Sequence, residues 1–402
     1  MRLETKATHQ QTRAFNEGLV LRRLYDLGPI SRAEVARLTG LTRTTVSEIV
    51  AEEIAAGLVE EVGRGPSIGG KAPILLQVVA DARLVLALDL GEQAFAGALV
   101  DLRGEIRRRI SIPVEGRDGR AAIDAVERLV DELRAAAGRR PLLGIGVGTP
   151  GIVDTESGTI RWAVNLEWQD LPLGDLLRER TGLPAYVAND SRAAAMGEHL
   201  FDTERRSPNL VAIKIGHGIG AGIVLGGELY QGDGFGAGEI GHTAAVDGGD
   251  ACRCGRSGCL ETVAGSRAIL AAAARAAVGD PGGLLGRRIA ERGTLTIADV
   301  RDAVDAGDEA ARRVVVAAGR WLGRAIAGLI GALDVHHVVL LGTVTMLGDP
   351  WLGAVREEAL RGALELLTRD TEIDIGGAPD DVVLLGASAL LISRELGLVP
   401  AR

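Results

Sequence analysis

The three cysteines of this 402-residue chain all fall within eight positions, at Cys252, Cys254 and Cys259, and His242 lies ten residues before the first. The segment around them, GDACRCGRSGC, has few apolar side chains, so burial alone gives it little reason to fold. An odd number of cysteines packed this closely is not a disulfide framework. Three thiolates and one imidazole do make a closed tetrahedral zinc site, and a metal would supply the missing stability. Three free thiols in a reducing cytoplasm are the plainer alternative, but chance seldom gathers every cysteine of a chain into one loop. A closed ligand set argues for a structural ion rather than a catalytic one, so the expectation is one zinc per chain.

The rest of the chain is too long for one ordinary domain, and two or three are expected. Glycine is abundant at 56 residues and aromatics are scarce at 3%, a balance that suits turn-rich α/β architecture better than a β-sandwich. The net charge of −9 excludes a polycation. Residues 1–80 carry a net +1 and the remaining 322 a net −10, so nucleic-acid binding would have to come from a local patch in the N-terminal part. Apolar runs are broken by Arg, Asp or Gly before they reach a membrane-spanning length. The first residues, MRLETKATHQQTR, lack an apolar signal core. Both features lead to the expectation of a cytoplasmic chain without a membrane partner.

Phe15 to Leu27 reads as a helix stopped by Gly28-Pro29. Ser31-Arg32-Ala33-Glu34 has the spacing of a capping box, with Ser31 accepting from the Glu34 amide and Glu34 reaching back. The short helix it opens turns Val35 and Leu38 inward. Thr39-Gly40 makes a tight turn, and Thr42 caps a second helix ending at Gly57. Val46, Ile49, Val50 and Ile54 share one face of that helix, and Arg43, Thr44, Thr45 and Ser47 lie on the other near its start. This is the arrangement in which a second helix offers its first turn to base edges and phosphates of double-stranded DNA. LVEEV and ILLQVV read as two strands of a wing, with the loop Gly63 to Pro73 between them and Lys71 near the tip. A helical hairpin for protein contacts is the alternative. The polar first turn, the glycine turn and the wing favour DNA; Glu48 and Glu52, near the phosphates, weigh mildly against it.

Two β-meander-plus-helix units follow, starting near Leu84 and Leu210. ARLVLALDL, FAGALVDLRGEI, RRRISIPV, LLGIGVG, LPAYVAND, NLVAIKIG and AGIVLGGELY read as strands. Ala121 to Ala137, 266–278 and 308–333 read as helices, and VHHVVLLG and DDVVLLGA as late buried strands. Gly146 to Gly151 fits G-x-G-x-x-G, but Pro150-Gly151 and a turn-forming DTESGT follow where a dinucleotide site needs a helix. Lys214 to Gly222 is a glycine run between two strands, equally fit to wrap a phosphate or to make a tight hairpin. Asn189-Asp190 ends a strand. Asp190 there suits a general base on a hydroxyl, or a cap for the helix SRAAAMGEHL. Glu239, three residues before His242, and Glu261, two after Cys259, carry carboxylates suited to sugar hydroxyls. Singly, each is an ordinary surface residue.

Taken in order, the segments GVGTPGIVD, NLEW, VANDSRAAAMGE, GHGIGAGIVLGGELYQGDGFGAGEIGH and CRCGRSGCLE resemble the ROK family of repressors, open reading frames and kinases, over residues 84–390. The stretch from Asn16 to Glu61 looks like the winged helix of that family's regulators, which its kinases lack. The resemblance implies an α/β, actin-like (ribonuclease H-like), two-lobed sugar-kinase fold preceded by a winged helix-turn-helix domain over residues 1–80. One lobe would take residues 81–188, with 384–402 returning to it, and the other residues 189–383, with sugar bound between them. Carried over by motif, Asn165, Asn189, Asp190, Glu239, His242 and Glu261 would contact the sugar, Asp190 being the base in kinases. His242 would also hold the zinc with Cys252, Cys254 and Cys259.

The departures from the family fall on phosphate contacts. Where kinases carry Asp-x-Gly-Gly-Thr, this chain reads Asp89-Leu90-Gly91-Glu92-Gln93, and a carboxylate there repels a phosphate. His217 replaces the threonine of the usual Gly-Thr-Gly, and LLGTVTMLG lacks the usual paired glycine. The expectation is a sugar-responsive DNA-binding repressor, dimeric or tetrameric, without kinase activity. The alternative is an ATP-dependent sugar kinase that keeps a DNA-binding domain.

Overall fold

The computed structural model describes residues 9–66, 72–91, 93–201, 207–377 and 381–397. The chain divides by packing into two compact units, residues 1–188 with 387–402, and residues 189–386.

The first unit opens with α1 (His9–Leu27), a two-residue strand β1 (Ile30–Ser31), α2 (Arg32–Thr39) and α3 (Arg43–Ala55). The hydroxyl of Ser31 accepts from the Glu34 amide at 3.2 Å. The reciprocal half of the expected box is not made: the Glu34 carboxylate instead takes the Arg37 guanidinium, one turn on, at 2.6 and 3.0 Å. An ionised partner on the same helix outcompetes a backbone amide. Val35 is fully buried, whereas Leu38 is half-buried. β2 (Val59–Arg64) and β3 (Ile74–Val78) pair antiparallel, Val59 opposite Val78, and β1 adds to the far edge of β3. The tip of this hairpin, residues 67–71, lies outside the described residues.

This N-terminal block is seated on the sheet that follows it. The Tyr25 hydroxyl donates to the Leu102 carbonyl at 2.6 Å in a buried position. The Arg103 guanidinium stacks 4.3 Å from the Tyr25 ring and donates to the Tyr25 carbonyl at 2.6 Å. The sheet itself starts with a meander, β4 (Leu84–Leu90), β5 (Ala94–Asp101) and β6 (Ile106–Pro113), crosses through α4 (Gly119–Ala137), and returns as β7 (Leu142–Thr149) parallel to β4. A small sheet of β8 (Ile152–Asp154), β9 (Thr159–Ala163) and β10 (Trp168–Leu171), then α5 (Leu173–Thr181), leads to β11 (Ala185–Asn189) beyond β7. The strand order is β11-β7-β4-β5-β6. No helix opens after Gly146 to Gly151. β7 turns at Gly151 straight into β8, in keeping with the rejection of a dinucleotide site.

The second unit repeats this order. After α6 (Asp190–Phe201) come β12 (Leu210–Ile215), β13 (Ile219–Leu225) and β14 (Glu228–Tyr230) as a meander. Helices α7 (Glu261–Ala264), α8 (Ser266–Val278), α9 (Leu284–Arg292), α10 (Ile297–Asp305) and α11 (Glu309–Leu333) cross to β15 (His337–Leu341), parallel to β12. Then α12 (Asp349–Gly362) and α13 (Glu365–Thr368) lead to β16 (Glu372–Ile375), parallel to β15. The order is β14-β13-β12-β15-β16. α11 is long and apolar enough to cross a membrane, but it lines the core of this unit through Val315, Leu322, Ile326 and Ile330.

The final element corrects one expectation. DDVVLLGA is not a strand: Val382 begins helix α14 (Val382–Glu395), which is buried on nearly every side. A helix apolar all round shows no 3.6-residue stripe, so its first eight residues look like a buried strand. The strand that closes the sheet is the EIDI of β16, which the sequence did not single out. Glycine decides how closely these layers approach. A Cβ at Gly146 on β7 would lie 2.1 Å from the Ala387 carbonyl oxygen of α14. Gly146→Ala is therefore expected to destabilise the protein by roughly 1–3 kcal/mol, the usual cost of overpacking, read as a lower urea midpoint. An unchanged midpoint would rule out this packing.

Candidate functional site

Asn189 caps α6. Its Oδ1 accepts from the Ser191 and Arg192 amides at 3.0 and 3.4 Å, so the cap is not the work of Asp190. Asp190, the first helical residue, accepts from the Ser191 amide at 2.7 Å and the Ser191 hydroxyl at 3.2 Å through Oδ1. Its Oδ2 accepts from the Lys214 ammonium at 2.7 Å. Lys214 was missed at the level of sequence. The only sign of it is one charged residue in the otherwise apolar strand LVAIKI. Both oxygens of Asp190 thus accept hydrogen bonds, Oδ1 two from Ser191 and Oδ2 one from Lys214.

The glycine run after Lys214 forms a tight hairpin, with Ile215 opposite Ile219 and the Gly216 amide donating to the Gly218 carbonyl at 2.9 Å. Its turn faces α7, where a Cβ on Gly218 would come within 3.0 Å of the Glu261 carboxylate. On the next strand, Gly220 and Gly222 let α6 lie flat: a Cβ on Gly222 would sit 2.3 Å from that of Ala195. The segment between β14 and α7 is irregular apart from one 3-10 turn, Ile240–His242, which Glu239 precedes. Burial raises the Glu239 carboxyl above its ordinary value. Asp190 and Glu261 add to that rise, and His242 and Arg192 oppose it. Asn189, Asp190, Glu239, His242 and Glu261 therefore stand in one neighbourhood of the second unit. Asn165 belongs to the first unit, exposed on the turn Val164–Leu166.

His242, Cys252, Cys254 and Cys259 bring one ligand atom each to within 4.8 Å of all the others. The His242 Nδ1 lies 3.5 Å from the Cys252 Sγ, and the Cys254 and Cys259 sulfurs are 3.7 Å apart. A tetrahedral ion with metal–sulfur bonds of about 2.3 Å would hold its sulfurs about 3.8 Å apart. The fit is close. The turn that makes it runs from Cys252 to Arg256, closed by the Cys252 amide on the Arg256 carbonyl at 2.7 Å. Gly258, at φ +73°, must be glycine, because a Cβ there would lie 1.7 Å from the Val246 carbonyl oxygen. Burial and the two neighbouring sulfurs push the Cys259 thiol up to about 12. Burial also raises Cys252, while the Arg256 amide lowers Cys254. Three thiolates this close repel one another, and a divalent cation relieves that repulsion.

At the N-terminal end, Arg43, Thr44 and Ser47 are exposed on the first turns of α3. Thr45 is half-buried, its amide 3.1 Å and its hydroxyl 2.8 Å from the Thr42 hydroxyl. Glu52 is bound by Arg13 at 2.5 Å, which removes one of the two carboxylates that weighed against phosphates. Lys71 and Glu92 lie outside the described residues.

A duplicated five-stranded α/β sheet, with a group of carboxylates near one histidine and three cysteines, defines a protein of the sugar-kinase-like fold. The chain belongs to the ROK family, whose model matches residues 85–394. It is 33% identical to a putative xylose repressor of Caldicellulosiruptor sp. (strain Rt8B.4), over 96% of this chain and 98% of that protein. It is 34% identical to a glucokinase of Halalkalibacterium halodurans, over 78% of this chain and 96% of the enzyme. A solved ROK family transcriptional regulator, a homolog of the E. coli MLC protein, superposes with a TM-score of 0.84 at 29% identity, over 96% of this chain and 98% of that one.

Metal analysis of the purified protein is expected to give about one ion per chain. Cys259→Ala should remove it and leave the helical signal of the first unit in place. Full metal content in that variant would show that the cluster is not the binding site.

Proposed function

We propose that this chain is a sugar-responsive, DNA-binding transcriptional repressor of carbohydrate-utilisation genes, acting in the cytoplasm as a dimer or tetramer. The observation that carries this reading is where the likenesses extend. The putative xylose repressor and the solved regulator span 96% of the chain, whereas the glucokinase spans 78%. The family model begins at residue 85, and the N-terminal block that precedes it has two short helices and a β-hairpin that suit a winged helix-turn-helix. α3 would enter the major groove, with Arg43, Thr44, Thr45, Ser47 and Lys71 as its DNA contacts. Two copies would read two half-sites of a pseudo-palindrome. The ion held by His242 and the three cysteines is zinc, in a structural role suited to its closed ligand set. With Nδ1 of His242 turned toward the sulfurs, Nε2 remains for a sugar hydroxyl. Asn165, Asn189, Asp190, Glu239 and Glu261 complete the sugar contacts. Sugar then shifts the protein between two states that differ in affinity for the operator.

A second reading, an ATP-dependent sugar kinase, is favoured by Asp190 and by the glucokinase likeness. Against it stand the Lys214 pairing and the altered phosphate loops. Adding ATP with D-xylose or D-glucose is expected to release no ADP, and turnover would put the kinase first.

Sheared genomic DNA passed over the protein at physiological salt is expected to be enriched at a few promoters. Arg43→Ala should lower the affinity for those fragments by about tenfold or more and leave sugar binding unchanged. Absence of enrichment, with or without sugars, would remove the DNA reading. Chelation should abolish sugar binding before DNA binding, because His242 lies in both the metal centre and the sugar set. Unchanged sugar affinity in metal-free protein would break that link.

A further inference from the structure

Arg192 is 1% exposed, two residues into α6 from Asp190. Arginine is almost never buried so completely without a carboxylate partner. Here the guanidinium spends its donors on main-chain oxygens of the irregular segment after β14. Nε and Nη2 donate to the Ala237 carbonyl at 3.3 and 3.1 Å, and Nη2 donates also to the Phe235 carbonyl. Nη1 is buried and has no acceptor among the described residues. Burial disfavours the charge, and Glu239 is the group that offsets this.

The segment that Arg192 grips needs holding. Phe235 sits at φ +57°, a left-handed conformation that costs a residue with a side chain. On the other side, Gly238 lies against β13: its carbonyl accepts from the Ala221 amide at 2.8 Å, and a Cβ there would be 1.8 Å from the Ala221 oxygen. The loop is thus clamped between α6 and β13, and Glu239 is the next residue. An apolar side chain of similar volume would avoid the cation's desolvation cost but would leave the Phe235 and Ala237 carbonyls without this donor.

We propose that Arg192 is a positioning residue of the effector site: from α6 it clamps the 232–238 loop and so sets where Glu239 stands relative to Asp190. This rests on the reading of Asp190 and Glu239 as effector contacts. One guanidinium ties the helix that begins with Asp190 to the loop that ends at Glu239. The buried Nη1, with no acceptor among the described residues, leaves the same side chain one donor for an ordered water.

Arg192→Met keeps the volume and removes the clamp. The variant is expected to fold, to melt somewhat below the wild-type temperature because the Phe235 and Ala237 carbonyls lose their donor, and to keep its metal. Its amides over residues 232–241 should exchange about tenfold faster, with β12 and β13 unchanged. Affinity for whichever of D-xylose and D-glucose the wild type binds by calorimetry should fall by about tenfold or more. Arg192→Ala, in case the methionine variant misfolds, should regain protection of the loop when guanidinium ion is added. Unchanged exchange over 232–241 in the folded variant would overturn the clamp. Faster exchange with unchanged sugar affinity would overturn the positioning role. Wild-type protein that binds neither sugar would count against the effector reading, and exchange would still decide the clamp.

Discussion

Three sulfurs and one imidazole nitrogen stand within 4.8 Å of one another, and once the thiols lose their protons only a cation offsets the repulsion between them. The irregular stretch between β14 and α7 has little else to hold it. It offers few apolar side chains, and Gly232, Gly238, Gly248, Gly255 and Gly258 all take positive φ, which leaves the unfolded chain much freedom to lose. A metal at the cluster replaces the core that this segment does not build. Two candidate effector contacts inherit their positions from it. Glu239 is separated from His242 by one 3-10 turn, and Glu261 opens α7 two residues after Cys259. A metal at this cluster would therefore do structural work whose consequence is felt at carboxylates it does not touch.

The two units reach the same strand order by the same physical route. In each, a three-stranded meander supplies local pairing first, and helices carry the chain back to lay parallel strands against the first strand. Buried parallel strands need cover on both faces. The cover comes close because glycines on β7 and β13 have no side chain to hold the helices off. Such sheets place ligands at the carboxyl ends of their strands. Asn189-Asp190 follows β11 of the first sheet, and in the second sheet the Gly216–Gly218 turn follows β12. In the first, the sequence after β4 reads Gly91-Glu92-Gln93, of which Glu92 lies outside the described residues.

Much of this was legible because local chemistry and global fold agree. The meanders announce themselves through alternating and continuous apolar runs. The four metal ligands need only residue type and spacing. The cap of α3 at Thr42 follows from its side chain, and the structure finds it there. The unread parts have physical reasons. α14 is buried all round, so periodicity cannot separate it from a strand. β16 is a four-residue edge strand with too little pattern to register. Glu34 had two partners within reach, and sequence does not say which wins. Lys214 and Arg192 matter through residues 24 and 45 positions away, Asp190 and Ala237, and no local rule reports such distances in space.

The Asp190 carboxylate shows how one scaffold can serve two purposes. A general base must present a free lone pair to a hydroxyl, and the transferred phosphoryl group needs donors that gather its charge. Here Oδ1 is held by Ser191 and Oδ2 by Lys214. Glu92 puts negative charge where the resemblance places a phosphate loop, and His217 alters the second such loop. These two changes fall after β4 and β12 in the sequence, and each bears on phosphoryl transfer rather than on recognition of hydroxyls. An enzyme gains nothing in turnover from holding its substrate tightly in the ground state, because only interactions strengthened in the transition state speed the reaction. A receptor has the opposite need. Its output is the difference in ligand affinity between two conformations, so ground-state contacts are its whole means of action. A carboxylate that already accepts from Ser191 and Lys214, beside a neighbour whose carboxyl is held above its ordinary value by burial and a loop fixed by Arg192, suits that second need.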